Sequence, residues 1–160
     1  VAKDAEVDGD TFTELWDATG VDTFVIGSST YAVVVSNIDD GVQMIDISDP
    51  TSIVALDAET DGVNGFTELD DVADVDTFTC GSRTYAIAVS TTDDGVQLID
   101  VSNPSDIVAI DAETDGVNGF TELEGGYNVE TFKIGSAQYA LSASYTDDGV
   151  QMIEMGCRQS

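Results

Sequence analysis

Asp39-Asp40-Gly41-Val42-Gln43-Met44-Ile45-Asp46-Ile47-Ser48-Asp49-Pro50 is the stretch that decides how this chain reads. Asp and Gly tolerate the positive φ that a hairpin turn needs, so residues 39–41 read as a tight turn. Residues 41–47 are rich in Val, Ile and Met and carry no helical period, which predicts a strand. Asp49-Pro50 ends it, because Pro lacks the N–H that a ladder requires. Upstream, residues 22–27 and 30–36 form two more Val-, Thr- and aromatic-rich runs around a Gly-Ser-Ser turn. Downstream, residues 53–58 form a short fourth run, and a long Gly- and acid-rich loop covers 57–75.

This unit recurs. Asp-Asp-Gly-Val-Gln at 39–43 returns at 93–97 and 147–151, a step of 54 residues. Asp-Thr-Phe at 22–24 returns at 76–78, and as Glu-Thr-Phe at 130–132. Residues 57–69 (DAETDGVNGFTEL) are identical to 111–123. Fixed-period self-similarity is the signature of repeat architectures. The expectation is one all-β domain over residues 1–160, with repeats at about 1–54, 55–108 and 109–160. Each repeat supplies four antiparallel strands, as a β-propeller blade does. A β-trefoil-like threefold fold is the alternative. Three blades fall short of the four to eight that close a ring, so either the chain self-associates through its open edges, as ring or filament, or it is a fragment of a longer protein, or the fold is another threefold all-β form.

GVQMIDISDP, GVQLIDVSNP and the preceding TYAVVVS and TYAIAVS resemble the LVIVD-type repeats of extracellular β-propellers. The resemblance covers most of each period. It implies a surface or secreted protein with a scaffold or binding role rather than an activity. The 54-residue period exceeds a usual blade, and the excess lies in the 57–75 loop.

Composition narrows the function classes. The 160 residues hold 32 acidic and 4 basic side chains and no His, for a net charge of −28. Phosphate neutralisation needs Lys and Arg, so nucleic-acid binding is excluded on charge, and an anionic membrane surface is disfavoured. Without His there is no imidazole acid–base chemistry. No apolar run reaches membrane-spanning length. The sequence opens on Val1 without a signal-like segment, which suggests a processed, secreted chain. Cys80 and Cys157 could pair in an oxidising compartment. Cys80 also reads as core, standing where Ile26 and Ile134 stand in the other repeats, and Cys157 as a thiol free to bridge chains.

The acidic loop has the spacing of a calcium site. A twelve-residue EF-hand loop puts oxygen ligands at positions 1, 3, 5, 7, 9 and 12, with Gly at 6. Residues 57–68 match with Asp57, Glu59, Asp61, the Val63 carbonyl, a water at Gly65, and Glu68, with Gly62 at the turn. Residues 111–122 repeat this with Asp111, Glu113, Asp115, Val117 and Glu122. A degenerate copy carries Asp4, Glu6, Asp8 and Glu14. The expected ligand is Ca2+. Glu at position 3 and Asn64 or Asn118 at position 8 depart from the EF-hand pattern, and no helix is expected at either flank. Asp22, Asp76 and Glu130 are further candidate ligands, or plain strand-end polar groups.

Carboxylates that recur by repeat argue against the singular site that catalysis needs, so no enzyme is expected. Trp16, Arg83, Lys133 and Tyr145 stand out as singular residues; Trp16 reads as core, or as an interface or stacking residue. The leading expectation is a secreted, calcium-stabilised β-repeat protein with a structural or interaction role in a surface, filament or matrix. Two others are an acidic mineral-associated matrix protein that binds cations through repeated carboxylates, and a halophilic acidic binding module.

Overall fold

The computed structural model describes residues 1–157, which form eleven strands in three antiparallel sheets, with no helix among the described residues. Sheet I runs β1 (Ala18–Ile26), β2 (Ser29–Ser36), β3 (Gly41–Asp46), β4 (Val54–Thr60). Sheet II runs β5 (Val72–Cys80), β6 (Arg83–Ser90), β7 (Gly95–Asp100), β8 (Val108–Thr114). Sheet III holds three strands, β9 (Gly126–Ile134), β10 (Ala137–Ser144) and β11 (Gly149–Glu154). Within every sheet the strands follow chain order, and no sheet is shared between repeats. The four runs read from the sequence are strands in sheets I and II, whereas the four strands expected of every repeat are not met in sheet III, which has three among the described residues. β1 starts four residues earlier than expected, and β4 extends to Thr60, which shortens the acidic loop to 61–71.

Local chemistry sets the turns. Ile26 pairs with Ser29 across Gly27-Ser28, and Gly27 takes φ 63°. At the second turn Asp40 carries the positive φ (54°), as do Asp94 and Asp148. Gly41 is required for a different reason: a Cβ there would collide with the Glu14 carboxylate.

The core lies between sheets. Val33, Val35, Val42 and Met44 of sheet I pack with Val75, Ala86, Ala88 and Ile99 of sheet II. Phe66 and Leu69 from the 61–71 loop seal that layer. A second layer joins Ile87, Val89 and Val96 of sheet II to Val129, Ala140 and Ile153 around sheet III. On the far side of sheet I, Phe12 and Leu15 from the N-terminal segment cover Ala32 and Ile45.

Carboxylates stitch neighbouring sheets together. Asp22 accepts from Thr77 N at 2.8 Å, and Asp76 from Thr131 N at 2.6 Å. Asp57 accepts from Ile107 N at 2.8 Å. Asp40 accepts from Asp71 N at 2.9 Å, and Asp94 from Gly125 N at 2.8 Å. Hydrogen bonds to a charged acceptor are the stronger kind. A disulfide joins Cys80, at the end of β5, to Cys157 beyond β11, with Cα atoms 5.6 Å apart. It clamps sheet II to sheet III.

Candidate functional site

The acidic loops were the expected metal centre, and the structure distributes their carboxylates rather than gathering them. Asp57 and Glu59 lie on β4, where period 2 sends both side chains to one face. Asp57 Oδ1 accepts from Ala58 N at 3.0 Å, while its Oδ2 reaches across to sheet II. Glu59 accepts from Asn64 Nδ2 at 3.0 Å. Gly62, Asn64 and Gly65 all adopt positive φ and fold the loop back. That turn ties Gly62 N to Phe66 O and uses the Val63 carbonyl to accept from Phe66 N at 2.9 Å. Asp61 Oδ1 accepts from Leu69 N at 3.1 Å. Glu68 leaves the loop altogether: its Oε1 accepts from Thr114 Oγ1 on β8 at 2.7 Å.

The other copies follow the same plan. Asp111 caps Ala112 N, Glu113 accepts from Asn118, Asp115 from Leu123 N, and the Val117 carbonyl from Phe120 N. In the N-terminal copy Asp4 accepts from Ile53 N at 2.8 Å, and Asp8 from Leu15 N at 3.3 Å. Glu6 is exposed. Glu14 accepts from Thr60 Oγ1 at 2.8 Å. Among the described residues no group of three or more acidic or Cys side chains is disposed to hold a metal ion. Asp22 and Asp76, the further candidates, bond backbone of the next sheet instead.

The glutamates that close the loops are the unusual members. Glu14 and Glu68 are buried, and each has an Oε2 with no hydrogen-bond partner. Both are pushed up to about 7, first by desolvation and then by nearby aspartates, with the threonine hydroxyl opposing. Burial penalises the charged form, and like charges add to that penalty. The orphan Oε2 of Glu68 sits against Gly95, beside the Glu113 carbonyl.

A second concave feature escaped the sequence reading. Asp17, Thr19, Asn37, Asp74, Asn128, Tyr127 and Tyr145 line a cleft of ≈ 560 Å³ where β1, β5 and β9 run side by side. Tyr127 and Tyr145 meet edge-to-face at 6.2 Å, and both are exposed. Tyr145 stood out in the sequence. Tyr127 did not, although it replaces Thr19 and Ala73 of the other repeats, and that break in the repeat was its signal. Trp16 is not core: it is 63% exposed, and its backbone N–H bonds Asp39.

Comparison with known proteins gives fold likeness alone. No family model matches the chain, and no curated protein matches it. A functionally unknown protein from Desulfotomaculum acetoxidans superposes with TM-score 0.58 at 12% identity, over 86% of this chain and 41% of that one. A GH32 beta-fructofuranosidase from Bombyx mori superposes with TM-score 0.50 at 15% identity, over 89% of this chain and 36% of that one. The chain thus spans about two-fifths of the length of these solved structures.

Proposed function

We propose that the chain is an arc of acidic β-propeller blades with a structural or interaction role outside the cell, and that it works by associating with itself. The observation that carries this reading is the repeated bonding of aspartates to backbone N–H groups of the next sheet. Asp22, Asp40, Asp57, Asp76 and Asp94 all act this way. Carboxylates spent on holding units together make a scaffold, and a site for chemistry would need them left free. The LVIVD-type strand pattern supports blades. The Cys80–Cys157 disulfide supports an oxidising, extracellular setting.

Calcium enters this reading as a counter-ion. Among the described residues only Arg83 forms a salt bridge, with Asp100. The acids of the 57–68 and 111–122 loops therefore repel one another without internal cations, and a divalent ion held over each loop relieves that repulsion. Matrix or mineral surfaces rich in calcium are partners of the matching chemistry.

Sedimentation equilibrium of the full chain, with and without millimolar calcium, tests the proposal. Reversible association at micromolar concentration is the expected result. A chain that stays monomeric at its 16.8 kDa in both conditions overturns it.

A further inference from the structure

In the cleft beside Tyr127 and Tyr145 the three repeats cease to match. It lies where β1, β5 and β9 begin, next to the turns that follow β2, β6 and β10, and all three repeats contribute to it. Tyr127 answers to Thr19 and Ala73, and Tyr145 to Asn37 and Thr91. Elsewhere two repeats share residues 57–69 and 111–123 without a difference. A scaffold of copies presents the same groups in every copy. A cleft lined by unlike residues is a singular place on such a scaffold.

Its charge is of one sign. Asp17 and Asp74 bring carboxylates, and among the described residues no Lys or Arg lines the cleft. Asp74 Oδ2 accepts from Val129 N at 3.0 Å and from Asn128 Nδ2 at 3.3 Å, which fixes the group and leaves Oδ1 open among the described residues. Asp17 is held through its main chain, its carbonyl accepting from Asn37 N at 3.1 Å. These carboxylate oxygens are therefore not all consumed in joining sheets, unlike those of Asp22 or Asp40. Tyr127 and Tyr145 stand at 82° to one another with centroids 6.2 Å apart, so the rings form a corner rather than a stack. The face of an aromatic ring attracts a cation.

Three ligand chemistries meet this arrangement differently. An anion is repelled by both carboxylates and by the net charge of −28. A neutral polyol uses the rings and amides but leaves the carboxylates uncompensated. A primary ammonium brings three N–H donors that each need an acceptor in a fixed direction. An alkylated ammonium brings charge with no donor to satisfy, so rings and carboxylates both act on it without directional demands.

We propose that the cleft binds an organic cation through an alkylated ammonium head, seated in the Tyr127–Tyr145 corner and balanced by Asp17 and Asp74. The volume of ≈ 560 Å³ exceeds that head, which leaves room for the molecule that carries it. The site lies within one chain and goes beyond the scaffold reading without depending on self-association.

Isothermal titration calorimetry of the full chain with choline chloride tests the proposal, at about 0.15 M NaCl to screen exposed charge. Saturable binding at one site per chain is expected. Y127L and Y145L should each weaken it about five- to tenfold, whereas Y127F and Y145F keep the ring and the affinity. D17N, which removes no hydrogen bond among the described residues, should weaken it several-fold. Neohexyl alcohol, the uncharged carbon analogue of choline, should bind about tenfold more weakly than choline. A diffuse counter-ion cloud does not distinguish Tyr from Leu, so an affinity unchanged in both leucine variants overturns the site, as does the absence of saturable binding. Equal affinity for neohexyl alcohol overturns the cation. Sedimentation equilibrium reads self-association separately, so a strictly monomeric chain that binds choline sinks the scaffold reading alone.

Discussion

Glu68 and Glu122 follow the same Asn-Gly-Phe-Thr sequence, yet they end in different surroundings. Glu68 is buried with Thr114 opposite it, and its ionisation is displaced to about 7. Glu122 is only half-buried, and sheet III has three strands among the described residues. The same contrast runs through the aromatic layer, where Phe66 is fully buried and Phe120 is half-buried. Identical local sequence therefore fixes the loop but not its burial. Burial comes from the neighbouring strand and the next sheet.

The largest break in that comparison should come from the disulfide. Sheet III is held by fewer strands, and the Cys80–Cys157 bridge closes a chain loop of 77 residues. The paired C80S/C157S variant should lose about 4 kcal/mol by loop-closure entropy. Hydrogen exchange should show β9–β11 opening before β2 and β3. Uniform loss of protection would show that sheet III does not depend on the bridge.

Truncating the two phenylalanines compares the layers directly. F66A leaves a cavity in a closed layer and should cost about 3–4 kcal/mol in urea melts. F120A should cost roughly half of that, because its site is already open to water. Equal costs would show that sheet III is covered in solution.

Calcium should act on both loops alike, since their thirteen residues are identical. Millimolar calcium should raise the melting temperature by roughly 3–6 °C over NaCl of equal ionic strength, with magnesium giving less. A melt that follows ionic strength alone would move the acid to the halophilic reading.

The smallest expected effect isolates one carboxyl. Folded Glu14 and Glu68 keep their protons up to about pH 7, while their ordinary value is 4.5. Between those values the folded chain binds more protons than the unfolded chain, so this contribution to stability is full below 4.5 and is lost as pH rises through 7. E68Q should flatten that slope and gain about 1 kcal/mol at pH 8, since the amide can donate where the carboxylate could not. An unchanged slope in E68Q would show that the Glu68 carboxyl is not the group that titrates.

How far the sequence revealed this can be argued from particular residues. The strands were legible because Val, Ile and Thr runs alternate with Asp-Gly and Gly-Ser turns at a fixed period. The three separate sheets follow from those hairpins. The carboxylate positions were not legible. The spacing of Asp57, Glu59 and Asp61 fits a converging shell only if the loop wraps one point. β4 instead runs straight through to Thr60, and each acid takes the nearest N–H or amide donor. Of the two readings of Trp16, core and interface or stacking residue, its 63% exposure removes the first, and its equivalents Asp70 and Glu124 mark an outer position. The Cys80–Cys157 pairing depends on contact across 77 residues, which no local pattern reports.

The stitching bonds carry a consequence for how such a chain can grow. In each of them the acceptor is a specific aspartate, but the donor is a main-chain amide, borne by residues as different as Thr77, Ile107, Asp71 and Gly125. The receiving side thus asks little of side-chain identity, the Thr77 hydroxyl that also donates to Asp22 being an addition to the main-chain bond. A duplicated segment arrives already able to be gripped by its predecessor, whatever mutations it has gathered. Copy number can then change in one genetic event, with no compensating substitutions at the seam, and the identity of 57–69 with 111–123 is what such an event leaves behind.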